Sequence, residues 1–138
     1  MSFQNAVLAR EYLTAIASLG SPADVLRFYD PSIKIHEFPS RIAPNGRTRT
    51  LADLSVPYDH ARQILRAQSF TVTNLVEQGN KVAMELVWRG TLAVPVLGLA
   101  AGDELIASVA MFLEFRDGKI VEQRSYDCYP PFGAKKDA

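Results

Sequence analysis

Two short stretches hold side chains suited to proton transfer next to apolar neighbours. His36 and Glu37 close the alternating run Ile33-Lys34-Ile35-His36-Glu37, and Glu122-Gln123-Arg124-Ser125-Tyr126-Asp127 comes soon after an almost wholly apolar segment, Val109 to Phe115. A carboxylate at the end of an apolar strand face is desolvated, which lifts its pKa towards that of a working base. Successive strand residues point to opposite faces. With Ile35 in the core, Ile33 and Glu37 point inward and His36 outward. Likewise Asp127 shares a face with Ser125 and Gln123, while Tyr126 shares the other with Arg124 and Glu122. A carboxylate across a cavity from a tyrosine or histidine can move a proton to or from the carbon next to a carbonyl, with the second group stabilising the oxyanion. The candidate catalytic residues are Glu37, Asp127, His36 and Tyr126, and the candidate ligand-binding residues Tyr58, Trp88, Arg124 and Phe112. The opposing reading leaves Glu37 at a wet strand end, paired with an arginine of the following loop, and makes Glu122 and Arg124 a surface pair of little energetic weight.

The elements that must position these groups follow from periodicity. Leu8, Tyr12, Ile16 and Leu19 recur at helical spacing, which predicts a helix over about residues 3–19. Ser21-Pro22 supplies an N-cap and a first-turn proline for a second short helix ending near Tyr29. An early strand carries Ile33 to Glu37, and Pro39 to Thr50 reads as a loop whose Arg41, Arg47 and Arg49 could clamp an anion, although three arginines beside a turn are more often solvated. A third helix is expected over about 51–67, kinked or divided at Pro57. A long antiparallel meander follows, from Phe70 through Trp88 to Tyr129, with Asp117-Gly118 as the tight hairpin before the last strand. The connection Val96-Leu97-Gly98-Leu99 is too apolar for a solvated loop and should cover a pocket mouth or a second subunit.

Length and charge set limits. The 138 residues suit a single domain over 1–138, with fifteen basic and fifteen acidic residues cancelling to zero net charge. That balance lacks the one-signed footprint of a nucleic-acid binder, so none is expected as a partner. No apolar run reaches membrane-spanning length and the N-terminus lacks a signal-peptide pattern, so a cytoplasmic protein without a membrane partner is expected. His36 and His60 have no metal-ligand spacing, and neither a metal nor another cofactor is expected.

The order of these elements, with Asp30-Pro-Ser-Ile-Lys-Ile-His-Glu37 and the late Phe115-Arg-Asp-Gly-Lys-Ile120 and Arg124-Ser-Tyr-Asp127, resembles the SnoaL-like, ketosteroid-isomerase-like branch of the nuclear transport factor 2-like superfamily. The resemblance implies an α+β fold, a conical, cystatin-like α+β roll with three N-terminal helices packed in a strongly curved, mostly antiparallel sheet. It implies a pocket for a small apolar organic ligand, and a homodimer. It places Glu37 near the first-strand carboxylate that acts as base in such isomerases and cyclases, and Asp127 near an acid of the last strand in cyclase-like and epoxide-hydrolase-like members. Ser108 falls about where ketosteroid isomerases hold a protonated acid, so that partner is missing, and Arg89 lacks the second acid that epoxide opening needs. Two functions stand side by side: a cofactor-independent isomerase or cyclase moving a proton next to a carbonyl, and a non-catalytic module that binds an apolar ligand or another protein.

Overall fold

The structure is a computed structural model and describes residues 3–132; the segment Ala134-Lys-Lys-Asp-Ala138, which by composition reads as a frayed tail, lies outside them. In chain order the elements are α1 (Phe3–Ala17), α2 (Pro22–Leu26), β1 (Tyr29–Glu37), β2 (Arg47–Thr50), a 3-10 turn (Leu51–Asp53), α3 (Ser55–Ile64), β3 (Leu65–Gln78), β4 (Lys81–Leu92), β5 (Glu104–Arg116) and β6 (Lys119–Cys128). One six-stranded sheet runs in the order β2-β1-β6-β5-β4-β3, antiparallel throughout except for the parallel pair β1 and β6.

Two features of the expected architecture are corrected. The helices are not all N-terminal, because β1 begins at Tyr29 directly after α2, and α3 follows β2. The sheet is open rather than a strongly curved cone, since its order is linear and leaves β2 and β3 as free edges. Chemistry accounts for the open edge: β2 is only four residues, Arg-Thr-Arg-Thr, and a short, charged edge strand resists further pairing. Reading the segment up to Thr50 as loop missed this strand.

The helices cover one face of the sheet. Ala9, Tyr12 and Leu13 of α1 are buried, and α1 packs on β3 and β4. Opposite them, Leu105, Ala107, Val109, Met111, Leu113 and Phe115 bury every second residue of β5, in the strict alternation a strand imposes. The β5–β6 hairpin turns through Asp117 and Gly118, at φ 52° and 76°, the mirror-image turn that matches strand twist.

The expected helix at 51–67 is shorter and split, into the 3-10 turn and α3, and Leu65 already belongs to β3. Pro57 is the third residue of α3, where a first-turn N–H has no intrahelical acceptor to lose, so the helix starts around the proline rather than bending at it. The apolar connection after β4 folds back on itself through a Val96–Leu99 bridge. Val96 and Leu99 pack on Leu65, Leu92 and Leu105, so they cover a second part of the core, while Leu97 stays exposed.

Candidate functional site

A cavity of about 240 Å³ lies between the inner face of the sheet and α3. Ile35, Leu54, Phe70, Trp88, Ala107, Val109 and Met111 supply apolar wall, and Glu37, Arg49, Tyr58, Gln123, Ser125, Asp127 and Tyr129 bring polar groups. Strand register explains how the polar row comes to face apolar wall. On β6, Gln123, Ser125 and Asp127 stand directly opposite Leu113, Met111 and Val109 of β5. On its other side, Gln123 and Ser125 pair with Ile35 and Glu37 of β1.

The two carboxylates of this site differ in their partners. Glu37 Oε1 accepts from Arg49 at 2.7 Å and lies 3.3 Å from the Arg47 guanidinium, so both arginines of β2 are spent on it. Arg47 and Arg49 are therefore part of the site, and the opposing reading, in which Glu37 pairs with an arginine of the following segment, describes this carboxylate. Asp127 has no hydrogen-bond or ion-pair partner among the described residues. Burial pushes its carboxyl above the ordinary value, the charge of Glu37 pushes it further, and Arg47 acts in the opposite sense. Burial likewise raises the Tyr129 phenol, with the charges of Asp127 and Glu37 adding to the effect.

Behind the cavity runs a chain of phenols that the sequence reading missed. The Tyr58 hydroxyl meets that of Tyr29, Tyr29 meets Tyr12 at 2.6 Å, and Tyr12 donates to Gln123 Oε1 at 2.6 Å. The three come from α3, β1 and α1, and burial raises the pKa of each, so all stay protonated at neutral pH. Of its members the sequence marked Tyr58 as a ligand-binding candidate and Tyr12 only as part of a helical stripe, which signals core, not chemistry. Trp88 is held on the other wall: its indole Nε1 donates to Gln68 Oε1 at 2.8 Å, and Gln68 Nε2 donates to the Ile16 carbonyl at 2.7 Å. Gly90 lets the indole lie flat along β4, since a Cβ there would come within 2.5 Å of Trp88 Cζ2.

Of the residues singled out from sequence, Glu37, Asp127, Tyr58 and Trp88 line the cavity. His36, Tyr126, Arg124 and Phe112 lie on the opposite face of the sheet, as alternation requires of the neighbours of Glu37, Ser125, Asp127 and Met111. There His36 Nε2 sits 3.1 Å from Glu122, and Arg124 bridges Glu114 and Glu122 at 3.1 Å each. Phe38 stacks on Tyr126 at 4.4 Å, with Phe112 edge-on to Tyr126 at 6.0 Å. Ser108 is exposed on that same outer face, and the cavity wall at this level is made by Ala107 and Val109. Arg89 is also exposed and pairs with Glu104 at 3.2 Å.

A family model described as SnoaL-like domain matches residues 9–123. The chain belongs to the SnoaL-like domain family. The matched span includes Glu37, Tyr58 and Gln123 and stops short of Asp127. Solved structures share the fold. AclR of Streptomyces galilaeus, a proposed hydroxylase, aligns with TM-score 0.76 at 16% identity, over 92% of this chain and 76% of its own. Wild-type IdmH of Streptomyces antibioticus, a proposed polyketide cyclase, aligns with TM-score 0.74 at 22% identity, over 90% and 91%. AusH of Aspergillus nidulans aligns with TM-score 0.75 at 14% identity, over 92% and 85%. No curated protein matches the sequence. This SnoaL-like chain thus has the fold of small-molecule pocket proteins of the cyclase and isomerase type, and among its described residues no helix is long and apolar enough to cross a membrane.

Proposed function

We propose that the protein is a cofactor-independent isomerase or cyclase, in which Asp127 moves a proton to or from the carbon next to a carbonyl of a small, largely apolar ligand. The observation that carries this reading is the contrast between the two carboxylates: Glu37 is held by two arginines, whereas Asp127 lines an apolar cavity unpartnered among the described residues, with its pKa raised by burial. A base whose pKa is lifted towards the working pH accepts a proton from carbon more readily and still returns it. Tyr58 is the hydrogen-bonding group for the oxygen that gains charge when the phenol protons run outward towards the cavity, because it is the phenol of the Tyr12–Tyr29–Tyr58 chain that lines the cavity. Glu37 sets the local field that keeps Asp127 protonatable. His36 and Tyr126 have no part in this chemistry, since the sheet lies between them and the cavity.

Deuterium exchange tests the reading. Incubated in heavy water with a panel of cyclic ketones and enones small enough for the cavity, the protein should exchange the hydrogens next to the carbonyl, and Asp127→Asn should reduce the rate by roughly 100-fold or more, the usual worth of a positioned general base. Exchange that survives in Asp127→Asn, or ketones that bind without exchange in the wild type, would leave an apolar-ligand carrier in its place.

A further inference from the structure

Five side chains form one hydrogen-bonded chain whose two ends both reach the same cavity. Tyr58 meets Tyr29, Tyr29 meets Tyr12 at 2.6 Å, Tyr12 donates to Gln123 Oε1 at 2.6 Å, and Gln123 Nε2 donates to Ser125 Oγ at 3.2 Å. Tyr58 and Ser125, the two ends, line the cavity. Each hydroxyl has a single proton to give. With Tyr12 donating to the amide oxygen, Tyr29 must donate to Tyr12 and Tyr58 to Tyr29, which leaves Tyr58 a lone pair for the cavity. Ser125, accepting from the amide nitrogen, keeps its own proton for the cavity. A half-turn of the Gln123 amide about Cγ–Cδ exchanges its oxygen and nitrogen in place and reverses every bond of the chain. Nε2 then donates to Tyr12, the phenol protons run outward, Tyr58 donates into the cavity, and Ser125 spends its proton on the amide oxygen and becomes an acceptor.

We propose that Gln123 is a positioning and specificity-determining residue: its amide couples Tyr58 and Ser125 into one donor and one acceptor that exchange roles together, fitting the cavity to both forms of a ligand that interconverts between ketone and enol. This rests on the reading of Asp127 as the group that moves the proton. Keto and enol forms of one ligand differ by a proton shifted from carbon to oxygen, which turns an accepting oxygen into a donating one. A fixed array of donors matches only one of these forms. The Gln123 amide is suited to the task because it is buried, both of its polar atoms are engaged, and it can reverse without displacing its neighbours.

The test uses para-nitrophenol, whose absorbance separates phenol from phenolate and whose phenolate can only accept. In Gln123→Leu, Tyr29 is the acceptor left to Tyr12, the protons run outward, and Tyr58 donates, so the phenolate is favoured. In Gln123→Glu, an ionised carboxylate draws the protons of Tyr12 and Ser125 inward, Tyr58 accepts, and the phenol is favoured. The ratio of phenolate to phenol binding should differ between the two variants by about ten- to hundredfold, the worth of one hydrogen bond to a charged group. Most of that difference should vanish in a Tyr58→Phe background, where only the charge of the introduced carboxylate still acts. Equal ratios in the two variants, or the same difference without the Tyr58 hydroxyl, would overturn the proposal. Should either buried substitution prevent folding, Tyr58→Phe and Ser125→Ala answer the question in otherwise wild-type protein: their combined effect on the ratio should depart from the product of the single effects by about threefold or more, and simple multiplication would overturn the coupling. Failure of the wild type to bind para-nitrophenol at millimolar concentration would overturn the pocket reading along with this one, whereas binding with unmoved ratios overturns only the role of Gln123.

Discussion

Replacing Tyr12 by Phe removes one oxygen from the centre of the molecule and leaves the ring. Tyr12 is fully buried, and its ring packs against those of Phe28 and Tyr29 with centroids 5.6 Å away in each case, contacts a phenylalanine keeps. The cost therefore comes from hydrogen bonding. Gln123 Oε1, buried, loses its donor at 2.6 Å, and a buried acceptor left unsatisfied costs about 1–3 kcal/mol. Tyr29 loses one partner but keeps Tyr58, a loss nearer 0.5 kcal/mol. The sum is about 1.5–3.5 kcal/mol, which for a chain of this size lowers Tm by roughly 5–14 °C. Urea denaturation should show the midpoint falling with an unchanged m-value. The same substitution in a Gln123→Leu background, where no acceptor is left to orphan, should cost at most about 0.5–1 kcal/mol. A loss below about 0.5 kcal/mol in the wild-type background, or an equal loss in both, would refute the claim that the Tyr12–Gln123 bond holds the chain together.

Other expectations follow from the same geometry. The Asp127 carboxyl titrates above its ordinary value of 3.8, so the folded protein binds that proton more tightly than the unfolded chain does, and the resulting stability is full below about pH 3.8 and lost as pH rises through the folded value. Asp127→Asn should therefore be more stable than wild type at pH 7, a gain that disappears in acid; denaturation curves showing no gain at pH 7 would contradict the raised pKa. Gly90→Ala forces the Trp88 indole off its bed and should cost about 1–3 kcal/mol, with a shift in the fluorescence of the single tryptophan; an unchanged spectrum would mean the ring is not fixed there. On the outer face Phe38, Tyr126 and Phe112 are 36%, 42% and 40% exposed, with Tyr126 packed against both phenylalanines, and we infer that this patch joins two copies of the chain. Light scattering should find a dimer at micromolar concentration that Phe112→Arg converts to monomer, and a wild-type monomer would rule the interface out.

Local chemistry made much of this molecule legible. Helical spacing of Leu8, Tyr12 and Ile16 marked α1, Asp117-Gly118 marked the last hairpin, and alternation on β1 and β6 put Glu37 on one face and His36 on the other, with Gln123, Ser125 and Asp127 together. These are signals of period and turn chemistry, which depend only on near neighbours. What alternation leaves open is which face of a strand the helices will cover. Tyr126, Arg124 and Phe112 were as plausible for a site as Asp127, until α1 and α3 packed over the other face. That Glu37 could pair with an arginine of the following segment was legible, but that both Arg47 and Arg49 reach it was not, because they do so only once four polar residues pair as an edge strand beside β1. The phenol chain needs Tyr12, Tyr29, Tyr58 and Gln123 from four elements to meet, with up to 111 positions between bonded partners. No local pattern encodes such a meeting. Sequence determined α1, the last hairpin and the phase of β1 and β6; packing formed the edge strand β2, decided which phase became the inside, and with it which carboxylate was paired and which was left to titrate.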